Sequence, residues 1–155
     1  MSDPLEESPE APSRFGRLLG YRLTVWSDAY AEVELTLGPD HLNRAGAPHG
    51  GVLATLIDTA CGYAGCYCPV PGRRRGAVTV SLNTHFIARA RTGDRLTAAA
   101  HQTAAGRRLY FARCDVRDQT GRLIAQGEGV FRYRPGSERL EGEPAEPENN
   151  RTGPA

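Results

Sequence analysis

A chain of 155 residues can bury a real hydrophobic core as one domain, and it has no apolar run long enough to span a membrane. Its 19 basic and 18 acidic residues nearly balance, but residues 11–135 hold 17 Arg against nine acids, a net charge of +8. All of the basic residues are Arg. A coding bias therefore explains this excess as well as a polyanionic partner does, and both interpretations stay open.

Both ends of the chain have the composition of disordered tails. Residues 1–12 are acidic and Pro-rich, without the basic start or apolar core of a secretion signal, and residues 136–155 are rich in Pro and Glu. We therefore predict one folded domain at 13–135 and a cytoplasmic protein. The four Cys agree with this location, because an intracellular chain of this size does not need disulfides for stability. Cys66 and Cys68 lack the spacing of zinc ligands, so we expect no metal.

The first predicted elements lie before the middle of the chain. A short helical or extended lead-in at 15–20 precedes two strand-like runs between Tyr21 and Leu37. The second run alternates apolar and polar residues, as a half-buried strand does. Together the two runs predict a hairpin or one long bent strand.

The stretch 43–66 organises the rest of the chain. It opens with turn residues and then predicts one helix from the pair Gly50-Gly51 to about Gly65. One face of this helix is an apolar stripe that predicts contact with the core: Leu53, Leu56, Ile57, Ala60 and Ala64. The opposite face surrounds Asp58, the only charged side chain between His49 and Cys68, with small residues: Gly51, Ala54, Thr55, Thr59, Gly62 and Gly65. Small residues there indicate that something also packs closely on this face.

Four extended segments follow a loop at 69–76 that carries three consecutive Arg. They are predicted at 78–87, 95–103, 109–117 and 123–134, with turn residues in their connections. Strict alternation in the first segment places Thr79, Ser81, Asn83, His85 and Ile87 on one face, opposite Val78, Val80, Leu82, Thr84 and Phe86. Early strands, one long helix and a run of antiparallel strands predict an α+β fold with a sheet wrapped on the helix.

The residues around the helix start are suited to acyl chemistry. Gly50 and Gly51 leave backbone N–H groups unpaired at the positive end of the helix dipole, without a Cβ to block a ligand. Such an end can hold a carbonyl oxygen as it becomes an oxyanion. Asn43 and His49 add neutral polar groups, and Asp58 supplies a carboxylate base or nucleophile. An Asp that only accepts a hydrogen bond would give the same pattern, so that interpretation stays open.

This pattern resembles the PaaI-like branch of the hotdog-fold acyl-CoA thioesterases. The likeness rests on Asn43, on His49-Gly50-Gly51, on Asp58 nine positions after the His, and on a strand beginning Val78-Thr79-Val80, and it covers roughly 14–133. It implies a hotdog fold and hydrolysis of a small aromatic or medium-chain acyl-CoA. It also implies a homodimer or a dimer of dimers, because in that family two subunits share each active site.

The resemblance also implies roles for individual residues. The Gly50 N–H would polarise the thioester carbonyl with help from His49 and Asn43, while Asp58 would attack the carbonyl or activate water positioned by Thr79. Gly51 at the helix start is a further candidate for substrate contact, and the Ser81 hydroxyl is the alternative to Thr79. The candidates for binding the CoA phosphates are arginines: Arg73, Arg74, Arg75, Arg89 and Arg91. CoA is part of the substrate, so no cofactor is expected.

Two alternatives remain. A hotdog hydratase or dehydratase would use His49 as its base, although the Gly-Gly pair and the position of Asp58 fit hydrolysis better. A non-catalytic acyl-CoA-binding protein or a nucleic-acid binder would use the basic core. The sequence shows no DNA-reading module and no aromatic-basic stripe, so we expect no nucleic acid and no membrane partner. The segment between helix and strand has no motif, so the acyl preference is not readable.

Overall fold

The computed structural model describes residues 9–145, so residues 1–8 and 146–155 of the two predicted tails lie outside the described residues. The elements in chain order are α1 (Arg14–Leu19), β1 (Arg22–Ser27), β2 (Tyr30–Thr36), a 3-10 helix (Pro39–His41), α2 (Gly50–Gly65), β3 (Arg73–Arg74), β4 (Ala77–Phe86), β5 (Arg95–Ala105), β6 (Leu109–Arg117), β7 (Leu123–Tyr133) and β8 (Glu143–Pro144). The predicted long helix and each predicted strand are present. Among the described residues, no helix is long and apolar enough to cross a membrane.

Six strands form one antiparallel sheet in the order β1-β2-β5-β6-β7-β4. The sheet wraps around α2, which contacts all six strands. Because β1 and β4 are the two edges of this curved sheet, one side of the helix stays open between them. This is the predicted α+β architecture, and it decides which helix residues can meet a substrate.

The apolar stripe of α2 packs into the core as predicted. Leu56, Ile57 and Ala60 are fully buried. Gly65, which the periodicity placed on the opposite face, is also buried, and that part of the prediction is wrong. The reason is the ring of Tyr110 on β6, which lies so close that a Cβ at Gly65 would come within 2.1 Å of it.

Strand β4 does not alternate strictly. Its pairing with β7 shifts between Thr79, which lies opposite Phe131, and Ser81, which lies opposite Val130. Residues directly opposite each other share a face, so Thr79 points to the inner side with buried Phe131, and Ser81 points to the outer side. The predicted grouping of Thr79 with Ser81 is therefore wrong, because this bulge reverses the alternation.

Residues 136–145, here called the C-terminal segment, belong to the folded part of the chain. Ser137 is buried, and its hydroxyl accepts a hydrogen bond from the Gly76 N–H at 2.9 Å. Arg73 and Arg75 donate to backbone carbonyls of the segment at 2.7–3.0 Å, and β8 pairs with β3. These contacts correct the predicted domain boundary at 135, because backbone carbonyls anchor the segment regardless of its acidic composition.

Candidate active site

The first half of the candidate site is the helix start, residues 43–51. His49 is the N-cap of α2, and its Nδ1 accepts the Gly51 N–H at 2.9 Å. Gly51 therefore has no free donor, whereas the Gly50 N–H has no acceptor within residues 9–145. The ring of Phe86 lies beside Gly50, where a Cβ would meet it at 3.2 Å. Gly50 thus offers a backbone donor at the positive end of the helix dipole.

The loop before α2 is closed by Asn43. Its Oδ1 accepts hydrogen bonds from the N–H groups of Ala45 and Ala47 at 2.9 and 3.1 Å. Arg89 holds the same loop by donating to the Ala45 carbonyl at 2.8 Å. The side-chain NH2 of Asn43 makes no hydrogen bond within the described part of the chain, so it remains a donor for a ligand.

The second half of the candidate site lies in the middle of α2. Asp58 is half-buried there, and its Oδ1 accepts a hydrogen bond from the Thr79 Oγ1 at 2.7 Å. The bulge in β4 makes this contact possible, because it turns Thr79 towards the helix. Oδ2 of Asp58 makes no hydrogen bond or ion pair with any residue between 9 and 145. One carboxylate oxygen is therefore positioned, and the other is available.

Asp58 faces a cleft of about 490 Å³ on the open side of the helix, here called the Asp58 cleft. Its residues include Thr59, Gly62 and Tyr63 of α2, Trp26 of β1, Ala77 and Thr79 of β4, Phe131 of β7, and the charged Glu10, Arg74, Arg75, Arg134 and Glu143. The Trp26 indole donates to the Tyr63 carbonyl at 2.8 Å, and the two rings meet edge to face at 5.2 Å. The cleft thus joins a carboxylate to an aromatic wall.

The thiol of Cys66 also lines this cleft. Burial raises the pKa of its thiol, so the group stays protonated near neutral pH and is a poor nucleophile. No group of three or more His, Cys, Asp or Glu within residues 9–145 is arranged to hold a metal ion. Asp58 is therefore the group in the cleft best suited to attack or to accept a proton.

The two halves of the site are far apart within one chain. Gly50 and Asp58 are eight positions apart in α2, which corresponds to about 12 Å along the helix axis at roughly 1.5 Å per residue. Reacting groups must approach within about 3–3.5 Å. The structure brings Asp58 together with Thr79, and Asn43, His49 and Gly50 together at the helix start. It does not bring these two groups together in a single copy.

Two predicted contact residues, Ser81 and Gly51, offer no free hydrogen-bonding group to either half of the site. Ser81 lies on the outer face of the sheet, in a separate hollow that also includes Phe111 and Glu128. The Gly51 N–H is used by the His49 cap.

The five candidate arginines separate into different structural roles. Arg73 and Arg75 hold the C-terminal segment, and Arg89 holds the loop before α2. Arg74 and Arg75 line the Asp58 cleft. The guanidinium of Arg91 is exposed and makes no hydrogen bond or ion pair within residues 9–145. Arg91 is thus the strongest candidate for a phosphate among the five.

The aromatic wall of the cleft was missed by sequence reasoning. Trp26 and Tyr63 are far apart in the chain, and only closure of the sheet brings β1 to the end of α2. A usable signal was present, because Trp26 is the single Trp of the chain and lies next to the last residue of β1.

Comparison with known proteins gives a consistent result. The family model described as Thioesterase superfamily matches residues 45–125, more than half of the chain. Human acyl-coenzyme A thioesterase 13 is 34% identical over 135 residues, which cover 82% of this chain and 92% of the human protein.

Solved structures share the same fold. The E. coli PaaI protein from the phenylacetic acid degradation operon superposes with a TM-score of 0.70 at 26% identity, over 79% of this chain and 85% of PaaI. The thioesterase HI1161 from Haemophilus influenzae superposes with a TM-score of 0.73 at 21% identity, over 86% of this chain and 92% of HI1161. These likenesses confirm the hotdog fold predicted from the sequence.

Proposed function

Since this chain belongs to the thioesterase superfamily and is a PaaI-like hotdog thioester hydrolase, we propose that it cleaves small aromatic or medium-chain acyl-CoA thioesters at sites shared between two subunits. One subunit contributes the Gly50 N–H, and the other contributes Asp58. The observation that carries the proposal is the arrangement of Asp58, with Oδ1 fixed by the Thr79 hydroxyl and Oδ2 open to the cleft.

The free oxygen of Asp58 has two possible roles. As a general base it takes a proton from water while the water oxygen attacks the thioester carbonyl carbon. As a nucleophile it attacks that carbon itself, and water then hydrolyses the resulting anhydride. In both routes the C–S bond breaks and the proton from water ends on the CoA sulfur. Thr79 restricts the carboxylate to one orientation, which either route requires.

The helix start is suited to stabilise the charge that develops on the carbonyl oxygen. The Gly50 N–H is unpaired and lies at the positive end of α2. Because Nδ1 of His49 accepts the Gly51 N–H, a neutral His49 carries its proton on Nε2, a second donor. The NH2 group of Asn43 is a third. The same bond opposes the hydratase alternative, because it occupies one nitrogen of the proposed base.

A second copy of the chain supplies the missing half of each site. The distance of about 12 Å between Gly50 and Asp58 prevents both from acting on one thioester within a chain. Strand β4 is an unpaired edge of the sheet and exposes Val78 and Val80, as well as Phe86 near its end. Apolar edge strands favour pairing with another strand, so a homodimer, alone or within a dimer of dimers, fits this surface.

The substrate class follows from the relatives and from the cleft. The human relative is named for acyl-coenzyme A, and PaaI comes from a phenylacetic acid degradation operon. A thioester is already electrophilic, so hydrolysis with this set of groups requires no cofactor. Arg91, whose side chain is exposed, is a candidate for contact with the phosphates of CoA. Such a substrate agrees with the cytoplasmic location predicted from the sequence.

Complementation between two inactive variants tests the shared site. Gly50→Pro removes the N–H donor yet suits the first helical position, and His49 already has the extended backbone (φ −62°, ψ 134°) that precedes proline. Gly50→Ala is the matched control, because it adds a Cβ beside Phe86 but keeps the N–H. Asp58→Asn removes the base or nucleophile and keeps the shape of the side chain.

The two variants are co-expressed with different affinity tags, and the mixed dimers are purified by both tags. Each mixed dimer contains one complete site, so we expect about half of the wild-type rate of thiol release from acyl-CoA. Mixed dimers as inactive as their parents would overturn the shared site. Absence of hydrolysis by the wild type across a panel of acyl-CoA esters would overturn the function itself.

A further inference from the structure

We propose that the acyl group of the substrate lies in the Asp58 cleft and that Gly62 determines how long this group can be. Trp26 and Tyr63 close the far end, so the cleft accepts flat aromatic and medium-length linear acyl groups and excludes long ones. The inference rests on the proposed function and extends it from the reacting bond to the choice of substrate.

Two glycines of α2 differ in their surroundings, and this difference carries the first step. Glycine inside a helix is less favourable than alanine, because it loses more conformational entropy on folding. At Gly65 the ring of Tyr110 explains the glycine, since a Cβ would come within 2.1 Å of it. At Gly62 a Cβ would meet no atom within 4 Å. No packing contact within residues 9–145 requires glycine there, and the space in front of Gly62 is part of the cleft.

The position of Gly62 relative to the reacting carboxylate gives the second step. Gly62 is four residues after Asp58, which places it about one turn, or roughly 6 Å, further along the same side of the helix. Both residues line the same cleft. When a thioester carbonyl lies at Asp58, either its acyl chain or its CoA chain therefore passes over Gly62.

The chemistry of the cleft indicates that the acyl chain, rather than the CoA chain, passes over Gly62. The lining of the cleft includes Trp26, Tyr63 and Phe131, which suit an apolar group. The charged part of the lining contains acids as well as bases, with Glu10 and Glu143 alongside the arginines. A lining of mixed charge suits the several phosphates of CoA poorly.

The end of the cleft is rigid. The indole of Trp26 is fixed by its hydrogen bond to the Tyr63 carbonyl at 2.8 Å. Its ring also packs edge to face against Tyr63 at 5.2 Å and against Tyr67 at 5.8 Å. A side chain held on three sides does not move aside for a longer chain, so the distance from Asp58 to this wall limits the acyl length.

A series at Gly62 tests the inference. Gly62→Ala, Gly62→Val and Gly62→Leu are assayed with straight-chain acyl-CoA esters from acetyl to palmitoyl and with phenylacetyl-CoA. We expect Gly62→Leu to lower kcat/KM for octanoyl- and phenylacetyl-CoA by at least about tenfold and to leave butyryl-CoA within about twofold. Gly62→Ala adds a single methyl group and should therefore give the smallest loss of the series for octanoyl- and phenylacetyl-CoA. Trp26→Leu should shift the preference to longer chains.

Binding measurements separate this inference from the proposed chemistry. Non-hydrolysable thioether analogues of butyryl- and octanoyl-CoA are titrated calorimetrically into Asp58→Asn and into the double variant Asp58→Asn, Gly62→Leu. Weaker binding of the octanoyl analogue alone supports the inference. Equal loss for both analogues, or no loss for either, overturns it, provided that molar mass and circular dichroism show intact assemblies. A wild type without turnover would count against the hydrolase proposal, while the binding comparison still decides the role of Gly62.

Discussion

The start and the middle of α2 are constructed in opposite ways. At the start, the polar side chains are used to fix the backbone, with Asn43 closing the loop and His49 capping the helix. In the middle, Thr79 is the one hydrogen-bond partner of the Asp58 side chain within residues 9–145, and a Cβ at Gly62 would meet no atom within 4 Å. The first region is a rigid set of donors, and the second is a carboxylate beside a vacant cleft.

This difference fits a division of tasks between two subunits. Donors that stabilise an oxyanion are effective when they are already oriented before the reaction, so the rigid loop is useful at the helix start. A substrate needs room, so the open surface is useful in the middle. Under the proposed function each region lacks what the other provides, so a complete active site would need two chains.

The largest effect should come from the middle of the helix. Asp58→Asn should lower kcat at least about a hundredfold, because it removes the base or nucleophile while the side-chain oxygen can still accept from Thr79. Thiol release over a panel of acyl-CoA esters measures this loss, and thermal unfolding checks the fold. A folded Asp58→Asn enzyme with normal turnover would exclude Asp58 from the mechanism and leave the helix start as the only active half.

A smaller effect should come from the hydroxyl that orients the carboxylate. Thr79→Val keeps the shape and removes the hydrogen bond, so kcat should fall about tenfold with little change in KM. Thr79→Ser is the matched control and should keep most of the activity. Equal losses in both variants would contradict this prediction, because Thr79→Ser keeps the hydroxyl and the hydrogen bond to Asp58 would then not account for the loss.

The smallest effect should come from the neighbouring hydroxyl on the other face of β4. Ser81→Ala should change kcat/KM by no more than about twofold, because Ser81 points away from the helix into the outer hollow. The same thiol-release assay measures it. A loss comparable to that of Thr79→Val would show that a residue on the outer face of the sheet also contributes to catalysis.

The sequence predicted the parts of the fold that depend on local pattern. The limits of α2 followed from the Gly50-Gly51 pair and the spacing of Leu53, Leu56 and Ile57, and the later strands followed from their turn residues. The pairing of Asp58 with Thr79 was available only from the family resemblance. Alternation alone would have grouped Thr79 with Ser81, because the bulge arises from pairing with β7, about 50 residues further along the chain.

Other features depended on contacts between distant residues. Gly65 joined the core because Tyr110 on β6 needs its space, and no helical periodicity contains that information. Trp26 reached the cleft through closure of the sheet. The sequence shows the positive charge of Arg73 and Arg75, which made them candidates for binding phosphate. It does not show which backbone carbonyls they bind, because every residue has such a group.

The C-terminal segment has a practical consequence for anyone who produces this protein. Cutting the chain after residue 135 would remove the acceptor of the Gly76 N–H and the carbonyl partner of Arg75, both at residues that line the Asp58 cleft. Residues 136–145 should therefore be retained in recombinant versions, and affinity tags are best attached beyond them. Despite its acidic composition, this segment forms the hydrogen bonds that hold the residues just before β4 in place.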